Sequence, residues 1–131
     1  MTPGLLDTSV VIDWDDPAVQ RALPEEIAVS AITLAELAAG PHLASTIAER
    51  SKRQARLQQT EATFDPIPFD AAAARSFGQV VAAVAEAGRT HRSRVADLLI
   101  ASVAHANGLV LYTRHPDDFI GLDELIQVVA I

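Results

Sequence analysis

The chain has 131 residues, the length of one ordinary domain. Half of it is hydrophobic and only 5% aromatic, so Leu, Ile, Val and Ala must fill the core; with no cysteine, disulfides, zinc–cysteine sites and thiol catalysis are excluded. A net charge of −7 argues against a generic nucleic-acid binder, because phosphate contacts come mostly from Lys and Arg. The opening Met1-Thr2-Pro3-Gly4 has neither a positive nor a long apolar stretch, so no secretory signal is expected. No apolar run approaches the roughly 20 residues of a membrane helix, and no membrane association is expected.

Gly4 to Leu6 reads as a short buried strand ending at Asp7, followed by a helix over Val10 to Trp14 entered through Thr8-Ser9. Ala18 to Leu23 reads as a further helical turn and Ile27 to Val29 as a second strand. Ser30 suits the N-cap of a helix over Ile32 to Ala39, which Gly40-Pro41 ends. Residues 42–62 predict one or two helices. Phe64 to Pro68 reads as an edge strand marked by Pro66 and Pro68. Asp70 caps a long helix to about Ala87, which Gly88 terminates. After a polar loop, a helix begins at Ser93 or Arg94, runs to His105 or Ala106 and is closed by Asn107-Gly108. Leu109 to Tyr112 and Ile126 to Ala130 complete a set of about five strands. Strands alternating with helices predict an α/β fold: a mainly parallel sheet with helices on both faces and its functional crevice beyond the carboxyl ends of the strands.

Four acids stand on or beside apolar elements: Asp7, Glu36, Asp97 and Asp118. A carboxylate on an apolar element is costly unless something compensates it, and a divalent cation would compensate all four together. Carboxylate and water oxygens are hard ligands suited to Mg²⁺ or Mn²⁺. Such an ion lowers the pKa of a water and stabilises the leaving oxygen of a phosphodiester, so the set points to a metal-dependent nuclease. Each acid also has a plain structural role open to it. Asp7 can cap the following helix, Glu36 can pair with an Arg, Asp97 can favour a helix N-terminus, and Asp118 can be an ordinary loop acid with Asp117 competing for its role. Thr8 and Ser9 either cap the helix or help position water in the site. Arg94 and Arg114 either contact phosphate or pair with acids. The basic group Arg50, Lys52, Arg53 and Arg56 reads as a solvated face.

Four segments carry a resemblance. Leu5-Leu6-Asp7-Thr8-Ser9-Val10-Val11-Ile12 resembles the opening of PIN-domain ribonucleases, and Ser30-Ala31-Ile32-Thr33-Leu34-Ala35-Glu36-Leu37 resembles their second block. Ala96-Asp97-Leu98-Leu99-Ile100-Ala101 and Thr113-Arg114-His115-Pro116-Asp117-Asp118-Phe119 resemble the third and fourth. The small size is similar to VapC toxins of type II toxin–antitoxin modules. The resemblance implies one PIN domain over residues 1–131, an αβα sandwich around a parallel sheet. It implies Mg²⁺- or Mn²⁺-dependent endoribonuclease activity on tRNA or rRNA, with Asp7, Glu36, Asp97 and Asp118 (or Asp117) as catalytic and metal-binding residues. It further implies a cytoplasmic homodimer neutralised by a cognate VapB-type antitoxin, whose C-terminal segment lies across the groove. Leu34, Leu37 and Leu43 either pack in the core or form part of a partner groove. The chain departs from the pattern at His115, where the family usually has Asn or Asp. A PIN-like module that binds RNA or antitoxin without cutting is the alternative.

Overall fold

The structure is a computed structural model and describes residues 2–131. Four strands form one sheet: β1 (Gly4–Leu6), β2 (Ile27–Val29), β3 (Val110–Thr113) and β4 (Val128–Ala130). All pair in parallel in the order β2-β1-β3-β4, with Leu6 between Val29 and Tyr112 and Thr113 opposite Ala130. Six α-helices connect and cover them: α1 (Thr8–Ile12), α2 (Pro17–Ala22), α3 (Ala31–Ala39), α4 (Ile47–Thr63), α5 (Ala71–Glu86) and α6 (Val95–Asn107).

Successive residues of a strand face opposite sides of its sheet. Leu5 therefore packs with Val80 and Val84 of α5 and Leu98 and Ile100 of α6, whereas Leu6 packs with Val10, Val11, Val29 and Leu37 on the other side. Two adjacent leucines thus seed two apolar layers, one on each face of the sheet.

Local chemistry sets the helix ends. Asp7 caps α1 and Ser30 caps α3. Thr46 caps α4 with Glu49 at the third helical position, the spacing of a capping box, and Asp70 caps α5. Gly108, at φ 63°, ends α6 in the left-handed conformation that lacks a steric cost only for glycine.

Two expectations need correction. The segment Phe64 to Pro68 is not a strand, so the sheet has four strands and not about five. Only Ile67 bridges to the sheet edge, donating to the Val29 carbonyl and accepting from Ala31 N–H, because Pro66 and Pro68 on either side have no N–H to extend the ladder. The first helix begins at Thr8, ahead of Val10, because Asp7 supplies the cap. Leu37 is a core residue at 5% exposure and cannot meet a partner, whereas Leu43 is 76% exposed. Among the described residues no helix is long and apolar enough to cross a membrane.

Candidate active site

The connections from β1 run to β2 on one side and lead, through later elements, to β3 on the other. The carboxyl ends of β1 and β3 therefore flank the point where strand order reverses, where α/β sheets form crevices. Asp7 directly follows β1 there, and its N–H is bonded to the Tyr112 carbonyl of β3. Its side chain is buried at 3% exposure.

Donors on three sides hold this buried carboxylate. Oδ1 accepts from Val10 N–H at 3.3 Å and from the Ser9 hydroxyl; Oδ2 accepts from Thr113 Oγ1 at 2.6 Å. Behind these hydroxyls stand two backbone groups: Arg114 N–H donates to Ser9 Oγ and His115 N–H donates to Thr113 Oγ1. Two relays thus polarise hydroxyls toward Asp7 and tie the end of β3 to the end of β1. Hydrogen bonds of this kind are what permit a carboxylate to be buried.

Glu36 lies on the exposed side of α3, so its apolar sequence neighbours do not desolvate it. Thr8 Oγ1 donates to Glu36 Oε1 at 2.6 Å and lies 3.0 Å from the Thr33 hydroxyl, one turn earlier on α3. The hydroxyl next to Asp7 thereby fixes the second acid.

Asp97 occupies the first turn of α6 and is half-buried. Burial, then the negative charges of Asp118, Asp7 and Glu36, raise its pKa from 3.8 to about 6, against the opposing pull of Arg94. The three other acids therefore all act on Asp97 across the crevice, adding to the effect of its burial. Asp118 sits in the short 3₁₀ turn Pro116–Phe119, which is anchored by the buried Phe119. Asp117 is exposed, and it is its backbone carbonyl that is engaged: Arg89 donates to it at 3.2 Å and Arg94 at 3.1 Å. The guanidinium of Arg114 turns to Asp13 and Asp16, at 3.3 and 3.5 Å, and fastens the turn between α1 and α2.

Among the described residues no three of these groups close into a ready-made metal cage. The donor set nonetheless fits a hard divalent ion. Mg²⁺ keeps several waters and takes only one or two carboxylates directly, so acids that share a field without touching suit it better than a tight cluster.

Beside Thr8 and Glu36 opens a cavity of about 440 Å³ whose far wall is α4, with Lys52, Arg53 and Arg56. Sequence reasoning missed this wall, having read its cations as a solvated face. It also missed Thr113, for which one signal existed: a polar residue at the end of a strand whose alternation places it inward, where it is fully buried.

Residues 4–124 match the family model described as PIN domain. The chain is 37% identical over 130 residues to Ribonuclease VapC5 of Mycobacterium tuberculosis, an alignment spanning 98% of this chain and 93% of that one. It superposes on the crystal structure of VapBC-5, a member of the VapBC family of toxin–antitoxin systems from the same organism. That match has a TM-score of 0.83 and 37% identity, covering 100% of this chain and 98% of that chain. FitAcB from Neisseria gonorrhoeae matches with a TM-score of 0.77 and 29% identity over 95% of each chain. The chain belongs to the PIN-domain family.

Proposed function

We propose that this chain, acting as one PIN domain over residues 1–131, is the ribonuclease toxin of a type II toxin–antitoxin module. It cleaves phosphodiester bonds in RNA, of the tRNA or rRNA class, with Mg²⁺ or Mn²⁺. The observation that carries this reading is the convergence of Asp118, Asp7 and Glu36 on Asp97 at one crevice, where burial first and these three charges second raise Asp97 to about 6, in a chain of this family. Similarity to a protein named as a ribonuclease supports RNA as the substrate.

Asp7, Glu36, Asp97 and Asp118 are the residues that would hold the cation. When bound, a divalent ion activates a water for attack and stabilises the departing oxygen. The protein's own part is orientation. The hydrogen bonds from Ser9 and Thr113 hold the Asp7 side chain in place at the strand end, and Thr8 fixes Glu36. Arg89 and Arg94 hold the turn that carries Asp118 by its backbone.

A cognate VapB-type antitoxin, a homodimer and a cytoplasmic site of action belong to the same reading, supported by the likeness to a VapBC structure. An acidic crevice suits a basic inhibitory segment, in which an Arg pairs with carboxylates in place of metal.

Cleavage of total bacterial RNA by the purified chain, with Mg²⁺, Mn²⁺ or EDTA, tests the proposal beside Asp97→Asn. Discrete fragments that need both metal and Asp97 are expected. Equal cleavage by the variant, or by the EDTA-treated protein, would refute it. A folded wild-type chain that binds RNA but never cuts it would favour the non-cleaving module.

A further inference from the structure

A chain of net charge −7 must hold a polyanion close to four carboxylates, and most of its cations near the crevice are already engaged. Arg114 is paired with Asp13 and Asp16, and Arg89 and Arg94 are bonded to the Asp117 carbonyl. On α4, Arg53 is paired with Glu49 and donates to the Gly40 carbonyl, which staples the helix to the preceding turn. Among the described residues Arg50, Lys52 and Arg56 of α4 and Arg92 form no ion pair, and of these Lys52 and Arg56, one helical turn apart, share one face.

That face divides two adjoining cavities. Lys52 and Arg56 line the cavity that holds Thr8 and Glu36. They also line a second, of about 410 Å³, between α1 and α4, with Trp14 and Phe64 on its apolar walls and Gln59 and Thr63 on its polar wall. Three acids line the first cavity: Asp13 and Glu49 are matched by Arg114 and Arg53, and Glu36 accepts from Thr8, while Asp15 alone opposes α4's cations in the second. In the second cavity Lys52 and Arg56 therefore outnumber the single acid Asp15, despite the charge of the whole chain. Each cavity is large enough for an organic group the size of a nucleotide's parts.

We propose that Lys52 and Arg56 form a phosphate-binding subsite for a single strand of RNA that leaves the acidic crevice along α4. The strand's backbone lies on the two cations, and its next bases lie against Trp14 and Phe64, since aromatic faces accept any base. This rests on the ribonuclease reading and adds the direction in which the substrate runs.

The test uses a fluorescein-labelled single-stranded RNA with the full chain carrying Asp97→Asn, so that binding is read without cutting. Adding Lys52→Gln and Arg56→Gln should weaken binding about tenfold and flatten the salt dependence of log K by about 1.4, the slope of two single-strand phosphate contacts. The charge-matched pair Arg21→Gln and Arg75→Gln, on exposed sides of α2 and α5, should change neither. With Asp97 intact, the Lys52/Arg56 pair should slow cleavage at low RNA concentration, with the loss in KM. An unchanged salt slope, or equal weakening by the control pair, would overturn the subsite. So would a loss confined to binding of an antitoxin peptide, which would give this wall to a protein partner. Absence of metal-dependent cleavage by the wild-type chain would refute the ribonuclease reading alone, since the binding arm decides the subsite by itself.

Discussion

Replacing Asp97 by Asn keeps the side chain's shape and removes the charge on which burial and three other carboxylates act. In metal-free protein this should stabilise the fold. Burial and the charges of Asp118, Asp7 and Glu36 lift Asp97 from 3.8 to about 6, so the folded chain holds the proton more tightly than the unfolded chain. Ionisation of Asp97 therefore opposes folding. The penalty is absent below about pH 4, grows as pH rises, and is complete above about pH 6. A rise of this size corresponds to roughly 3 kcal/mol. Asp97 is half-exposed, and screening by solvent and salt reduces the expected value to about 1 kcal/mol. For a chain of this length that is about 4 °C in Tm. Thermal melts in EDTA from pH 4 to pH 7.5 should show Asp97→Asn more stable than wild type at the upper end and equal to it at the lower. Added Mn²⁺ should reverse the order, because a ligand of the native state stabilises only the protein that binds it. An Asn variant less stable than wild type in EDTA at pH 7.5, or a gain that does not vary with pH, would refute the reasoning.

The other expectations follow from single contacts. Asp7→Ala removes the α1 cap and strands the buried Thr113 hydroxyl, so it should cost about 2 kcal/mol in urea unfolding, whereas Asp7→Asn should cost less. Equal stability of Asp7→Ala and wild type would contradict the relay. Loss of activity in Asp7→Ala therefore mixes chemistry with folding, which makes Asp97→Asn the cleaner catalytic variant. Gly121 has φ 95° and its position would bring a new Cβ within 2.9 Å of Ala87, so Gly121→Ala should lower stability by about 2 kcal/mol; a neutral result would mean that the loop relaxes freely. Arg89→Gln with Arg94→Gln should loosen the turn carrying Asp118 and lower kcat about tenfold at saturating RNA, an order set by the loss of two charge-assisted hydrogen bonds. Unchanged kcat would show that the turn needs neither arginine.

Much of this was written in local sequence. Gly4-Leu5-Leu6 before Asp7, Ser30 before an apolar helix, and Asn107-Gly108 after one all act within a few residues, and the structure places strand, cap and helix end at those points. The acids were visible because a charge beside an apolar run is anomalous. What stayed hidden depends on residues far apart in the chain. Thr113 reaches Asp7 across the sheet, and nothing in either segment announces the other. Glu36 seemed to need compensation for burial, but α3 turns it outward, since a helix can be rich in Ala and Leu and still keep one side in solvent. The Pro66 and Pro68 segment had the apolar content of a strand, and only the missing N–H groups limit it to one bridge. Lys52 and Arg56 looked like any exposed helix face until α1 closed a groove against them.

Calorimetric titration of Mn²⁺ into the apo chain tests the central claim, that these carboxylates share a divalent cation, most directly. The account predicts saturable binding that Asp97→Asn weakens by at least tenfold in a variant that remains folded. No binding by folded wild-type chain, or equal binding by Asp97→Asn, would contradict it.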